Sequence, residues 1–183
     1  SPEYNYLLTY HPLVEIISSL DPRLLNISGS SIHIIKILMN LMSNAAEAMP
    51  NGGKLHVITE NFYSDTQTPS LPVLKRGEYV KLIVKDEGIG IADEDKEKIF
   101  EPFYTKKTLG RSGSGLGMAM VWGAVQDHEG YIDLQSAPEK GTAITVYFPA
   151  IQTYSPLEQK SISLDQFMGN GETILVVDDL EDQ

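Results

Sequence analysis

The 183-residue chain contains no cysteine, which excludes disulfides and thiolate metal sites. It is short of positive charge. Fourteen Lys and Arg stand against 25 Asp and Glu, giving a formal net charge of -11 and a pI near 4.7. A nucleic-acid binder presents a basic face, so that class is disfavoured. Long apolar runs are also missing. Ile32 to Met42 comes closest, and Lys36 and Asn40 interrupt it, so no segment is expected to insert into a bilayer. No basic-then-apolar leader opens the chain. Its first residue is Ser1 and not an initiator Met. The chain therefore reads as an excised or processed piece, and as a cytoplasmic one. Internal repeats and low-complexity tracts are absent. What is present, 42% apolar and 21% charged residues, is ordinary for a soluble globular protein. The length suffices for one domain and a tail.

Residues 1–12 read as a connector and 13–149 as the domain. Leu13 to Leu20 is expected to be a strand ended by Asp21-Pro22. Ser30 or Ser31 can cap a helix with apolar positions Ile34, Ile35, Leu38, Leu41, Met42, Ala45 and Met49. Pro50-Asn51-Gly52-Gly53 stops it. Leu55 to Phe62 and Glu78 to Asp86 read as strands, with a loop over 63–77 between them. In the second strand the period of two puts Val80, Leu82, Val84 and Asp86 on one face. An acidic-started short helix is expected over Asp93 to Ile99, a polar basic stretch over 104–114, and a helix from Leu116 to His128 closed by Gly130. Tyr131 to Ser136 and Thr142 to Phe148 pair around Pro138-Glu139-Lys140-Gly141. Residues 150–170 read as a linker. The apolar run Thr173 to Val177 before Asp178-Asp179 looks like the start of another domain.

Lys36, Asn40, Asn44 and Glu47 recur at helical spacing, opposite the apolar stripe. Such a row is ordinarily a solvated face. Asparagine is a mediocre helix former, however, and two of them four apart in a Leu/Met/Ala segment point to a task. An amide oxygen is a neutral, hard donor suited to Mg2+, which shares its coordination with substrate phosphates. Asp86 is either a turn residue before Gly88 or a carboxylate accepting from the exocyclic amine of a base, with Gly88 and Gly90 admitting the flat ring. Adenine has that amine, and a guanine reader also uses Asp. Gly113-x-Gly115-x-Gly117 opens a helix, where backbone N–H groups can face phosphates. It follows no βαβ strand and lacks a Gly-Lys-Ser/Thr ending, so neither a dinucleotide fold nor a P-loop is indicated. Lys106, Lys107 and Arg111 just before it form a local positive cluster, suited to phosphates under a closing lid.

Together these segments resemble the ATP-binding catalytic domain of bacterial sensor histidine kinases, within the GHKL ATPase superfamily. Asn40-Leu-Met-Ser-Asn44-Ala-Ala-Glu is similar to the N box, and Asp86-Glu-Gly88-Ile-Gly90-Ile to the G1 box. Ile99-Phe100-Glu-Pro-Phe103-Tyr-Thr-Lys-Lys107 resembles the F box, Gly113-Ser-Gly115-Leu-Gly117-Met the G2 box, and Gly141-Thr142 the short final motif. The resemblance implies an α/β (α+β) two-layer sandwich: a mixed, mainly antiparallel sheet with helices on one face and a Bergerat-type ATP pocket. It implies ATP and Mg2+ as ligands, Asn44 as the magnesium ligand with Asn40 nearby, and Asp86 on the adenine amine. Gly88, Gly90, Ile91, Thr105, Gly113, Ser114, Gly115, Leu116 and Gly117 would surround base and phosphates. Lys106 and Arg111 would assist, Lys107 would be the catalytic phosphate contact beside Asn44, and Thr142 would hold the base through water.

Glu172-Thr-Ile-Leu-Val-Val-Asp178-Asp179 resembles the first strand and acidic pair of a receiver domain. The parent would then be a hybrid kinase in a two-component phosphorelay, and residues 171–183 are too few to fold as that domain. The four histidines are His11, His33, His56 and His128, and none lies in the family's acceptor motif. The expected reaction therefore moves the ATP γ-phosphate to a histidine on a separate dimerisation domain. A receiver domain or response regulator is the further partner, and the piece itself is expected to be monomeric. Two other readings stand beside it, a GHKL-type ATP hydrolase and a non-catalytic nucleotide sensor. The hydrolases carry a Glu one helical turn before the magnesium Asn. Here that place holds Asn40, an amide that cannot serve as a base.

Overall fold

The computed structural model describes residue 7 and residues 9–65, 74–105 and 115–151. Among the described residues the sheet and the helices packed on it are β1 (Val14–Leu20), β2 (Asn26–Ile27), α1 (Ser31–Glu47), β3 (Gly53–Ser64), β4 (Gly77–Asp86), α2 (Gly117–Asp127), β5 (Tyr131–Ser136) and β6 (Thr142–Ile151). The sheet runs β1-β3-β4-β6, with β5 and the short β2 both pairing along β6. Only β1 and β3 are parallel; every other pair is antiparallel. The parallel pair needs a crossover, and α1 supplies it. The expected mixed, mainly antiparallel sheet with helices is therefore what the chain forms.

Strand β4 shows why the sheet has one core face. Val80, Leu82, Val84 and Asp86 alternate along it and are all buried. Leu55 and Val57 of β3, Ile144, Val146 and Phe148 of β6 and Ile132 of β5 join the same core. From the helices come Ile37, Leu41, Met42 and Ala45 on α1, and Val121 and Val125 on α2. Each fully buried aliphatic side chain there contributes about 1.5–3 kcal/mol relative to exposure.

Helix α1 begins at Ser30, whose Oγ accepts from the His33 N–H. Its core line differs from the expected stripe. Ile37 and Ala46 are almost fully buried, whereas Ile35 is 52% exposed. Ile37 lies seven residues before Asn44, nearly on the same helical line. The asparagine face therefore flanks the core and does not oppose it; Asn40, Asn44 and Glu47 are half-buried.

The acidic segment after β4 is also different. No α-helix forms over 93–99; two 3-10 turns, Asp93–Asp95 and Lys98–Phe100, take its place. Seven residues make too few i to i+4 bonds to offset helix nucleation, and Asp95 is engaged by Tyr104 Oη at 2.6 Å. Strand β3 runs on to Ser64, and β6 to Ile151, two residues past the expected domain end. Among the described residues no helix is long and apolar enough to cross a membrane. The first two residues of the linker expected over 150–170 belong to β6; the rest of it and the run Thr173 to Asp179 lie outside the described residues.

Candidate functional site

A cleft of about 490 Å³ opens beside the end of β4, within the usual range of small-molecule sites. Helix α1 presents Asn40, Ser43, Asn44 and Glu47 to it, and β4 ends in it with Asp86. The connection after β4 adds Ile89, Gly90, Ile91 and Asp95. Tyr104, Thr105, Gly115, Gly117 and Met118 follow, and β6 contributes Thr142 and Ile144.

Asp86 is 5% exposed. Its Oδ1 accepts the backbone N–H of Gly88 at 2.8 Å and that of Thr142 at 3.2 Å. Oδ2 accepts nothing among the described residues. Burial pushes the carboxyl pKa above its ordinary value, and the two backbone donors pull partly the other way. A carboxylate with one oxygen fixed and the other uncommitted is an acceptor aimed at a ligand donor.

Thr142 extends this acceptor surface. Ser136 Oγ lies 2.9 Å from the Gly141 carbonyl, which can only accept, so the Ser136 proton goes there. Ser136 Oγ in turn accepts the Ile91 N–H at 2.9 Å. Thr142 Oγ1, also 2.9 Å away, must then be the donor to Ser136. Its remaining lone pairs are acceptors only. Asp86 and Thr142 together favour an amine over a carbonyl as partner.

The asparagines lie one helical turn apart. Asn40 Nδ2 donates to the Lys36 carbonyl at 3.0 Å, which turns the amide donor back onto the helix. Its Oδ1 packs on Gly117, where a Cβ would come within 2.9 Å of it. Asn44 makes no side-chain hydrogen bond among the described residues, so its amide oxygen is available to a hard cation. No group of three His, Cys, Asp or Glu able to hold a metal exists among the described residues. A magnesium ion here would rely on ligand oxygens to complete its shell, as that ion commonly does. The donor set thus fits a nucleotide-bound Mg2+.

Two glycines of the cleft combine a positive φ with close packing. Gly90 has φ +70 and no room for a Cβ against the Ala137 carbonyl. Gly115 has φ +68, and a Cβ there would lie 2.5 Å from the Phe103 carbonyl carbon. Phe103 N–H donates to the Gly115 carbonyl at 3.0 Å, so the chain leaves and returns at one neck. Lys106, Lys107, Arg111, Gly113 and Ser114 lie outside the described residues.

Of the sequence-expected residues, Asn40, Asn44, Asp86, Gly90, Ile91, Thr105, Gly115, Gly117 and Thr142 line the one cleft. Gly88 and Leu116 do not. Gly88 packs against the end of α1, where a Cβ would lie 2.5 Å from the Ala48 carbonyl oxygen, and it accepts the Gly141 N–H at 3.0 Å. Asp95, Tyr104 and Ser136 join the site or its border without having been among the expected residues. Asp95 is 7% exposed despite its place in an Asp-Glu-Asp run, and the later Tyr104 donates to it.

The cleft lies between two helices and the end of a mixed, mainly antiparallel sheet. A family model described as "Histidine kinase-, DNA gyrase B-, and HSP90-like ATPase" matches residues 29–152. The chain belongs to that family, and within it to the catalytic domains of sensor histidine kinases. It is 33% identical over 152 residues to "Sensor kinase CckA" of Brucella abortus (strain 2308), a match covering 79% of the chain and 16% of that protein. It is 37% identical over 145 residues to "Sensor histidine kinase WalK" of Bacillus subtilis (strain 168), covering 78% of the chain and 22% of the relative. Among solved structures, the catalytic domain of histidine kinase ThkA superposes with TM-score 0.60 at 26% identity, covering 81% of this chain and 91% of that one. Full-length ShkA in complex with AMPPNP shares the fold at TM-score 0.62 and 21% identity, over 85% of this chain and 30% of that one. The chain spans less than a third of the length of the curated relatives it matches.

Proposed function

We propose that this chain binds ATP with Mg2+ and serves as the catalytic module of a two-component sensor kinase. It would present the γ-phosphate to a histidine on a separate dimerisation domain of the same protein. Asp86 carries the reading: a buried carboxylate with Oδ1 held by two backbone donors and Oδ2 uncommitted. Beside the acceptor-only Thr142 hydroxyl it suits the adenine amine. Asn44 would hold the metal, with Asn40 next to it, and Lys107, with Lys106 and Arg111, would neutralise the phosphates. In phosphoryl transfer such positioning and charge neutralisation are most of what the protein supplies. Bound Mg2+ would add charge neutralisation at the terminal phosphates.

Hydrolysis is disfavoured by Asn40, whose amide is no base and whose nitrogen is tied to the Lys36 carbonyl. His128 does not suit a phosphoacceptor either. Both its ring nitrogens are engaged, one with the Ala124 carbonyl and one with the Ser30 N–H. The likeness of Glu172 to Asp179 to a receiver start supports a hybrid parent with a receiver domain as onward acceptor.

Incubation of the chain with ATP labelled in the γ-phosphate, with and without a separately supplied dimerisation domain, tests this. Label on that domain's histidine and none on the chain is expected. Self-labelling of the chain, or fast phosphate release without transfer, would contradict it.

A further inference from the structure

His128 ends α2 and sits away from the cleft, yet its ring joins the two helices that flank the cleft. Its Nδ1 lies 2.6 Å from the Ala124 carbonyl, which can only accept. Its Nε2 lies 3.1 Å from the Ser30 backbone N–H, which can only donate. The partners therefore fix one arrangement: Nδ1 carries the proton and Nε2 is the acceptor. Ser30 is the N-cap of α1, so the acceptor of α2 secures the entry into α1. The ring is also wedged between His33 and Phe148, at centroid distances of 5.7 and 5.9 Å. A Cβ on Gly29 would collide with its Cδ2 and Nε2.

The two helices touch again at the other end of α2. Eleven residues from the clip, about 16 Å at the helical rise, Gly117 packs on Oδ1 of Asn40. The two ends of α2 thus meet α1 at two levels, His128 bonding Ser30 at the start of α1 and Gly117 approaching Asn40 in its middle. Only the second contact lies in the cleft.

We propose that His128 is a positioning residue for the phosphate and metal end of the site: by clipping α2 to the N-cap of α1 it holds Gly117 and Asn40 in register. The proposal rests on the nucleotide reading above. The adenine end depends on the side chains of Asp86 and Thr142, neither of which His128 touches; its contact with β6 is at Phe148, six residues further along the strand. Loosening the clip should therefore weaken phosphate and metal binding while sparing the base, a split that general destabilisation would not produce.

The test titrates the full chain with Mg·ATP and, separately, with AMP. The variants are His128→Ala, His128→Gln and Gly29→Ala. Gln retains one acceptor and one donor, and Gly29→Ala keeps His128 but displaces its ring. The net worth of one such hydrogen bond, felt wholly at the site, corresponds to about a fivefold change in affinity. His128→Ala and Gly29→Ala are expected to lose about that factor for Mg·ATP and less than about twofold for AMP, with Gln recovering most of it. If His128→Ala does not fold, Gly29→Ala and His128→Gln decide the matter. Parallel weakening of both ligands, or no change in either, overturns the proposal. A wild-type chain that binds neither ligand overturns the nucleotide reading instead.

Discussion

Thr142 donates its backbone N–H to Oδ1 of Asp86 at 3.2 Å, joining the start of β6 to the end of β4 inside the cleft. With the Gly88 N–H on the same oxygen, the carboxylate is oriented before any ligand arrives. Such preorganisation lowers the cost of binding.

Asp86→Asn separates stability from binding. Asn Oδ1 can still accept both backbone donors, while its NH2 replaces the uncommitted acceptor. Burial raises the Asp86 pKa in the folded state. Its contribution to stability is therefore fullest below the unfolded value, about pH 4, and is lost as pH rises through the folded value. The stability of wild type relative to Asp86→Asn should fall from acid to neutral pH. At pH 7 the variant should melt no lower than wild type while failing to bind ATP. Melting curves across pH check the first statement, and a large loss of stability at pH 7 would refute it.

Gly117→Ala should dissociate the same two properties in a different way. Alanine favours the helix, though by less than the interior-position value of about 0.8–1 kcal/mol, since Gly117 is the first helical residue. Its Cβ would come within 2.9 Å of Asn40 Oδ1, so the amide must move. The expected result is an unchanged or raised melting temperature with weaker Mg·ATP binding. Unimpaired magnesium-dependent affinity would contradict it.

Two isoleucines on α1 test the core. Ile37 is 1% exposed and Ile35 is 52% exposed. Ile37→Ala should cost about 2–5 kcal/mol, and Ile35→Ala within about 0.5 kcal/mol of nothing. Denaturant midpoints measure both, and equal losses would mean that the helix is rotated from the orientation described.

Gly90→Ala should be severe, because φ +70 and the Ala137 carbonyl both oppose a Cβ. Strain of this kind costs about 1–3 kcal/mol before the clash is counted. Urea unfolding of that variant with a midpoint equal to wild type would contradict the turn geometry.

Strands β1 and β3 to β6, helices α1 and α2 and cleft residues such as Asn40, Asn44, Asp86 and Gly90 were legible because they rest on local signals, whereas the two-residue β2 carries none. The alternation from Val80 to Asp86 and the glycine-punctuated segments carry their geometry in consecutive residues. The missed features depend on contacts distant in sequence. Ile37 is buried and Ile35 exposed according to where α1 lies on the sheet, which its own periodicity does not specify. The acidic segment lacks enough internal bonds for an α-helix, and Tyr104 holds Asp95 inward. Ser136 became visible only when β5 and β6 paired and set its hydroxyl beside Gly141 and Thr142. The bond between His128 and Ser30 spans 98 residues, beyond the reach of any local pattern.

The most direct test is a calorimetric titration of the chain with ATP, with and without Mg2+, beside Asp86→Asn. The account predicts saturable binding by wild type that magnesium strengthens and the substitution abolishes. A folded wild-type chain that binds no ATP, or an Asp86→Asn chain that binds it equally well, would contradict it.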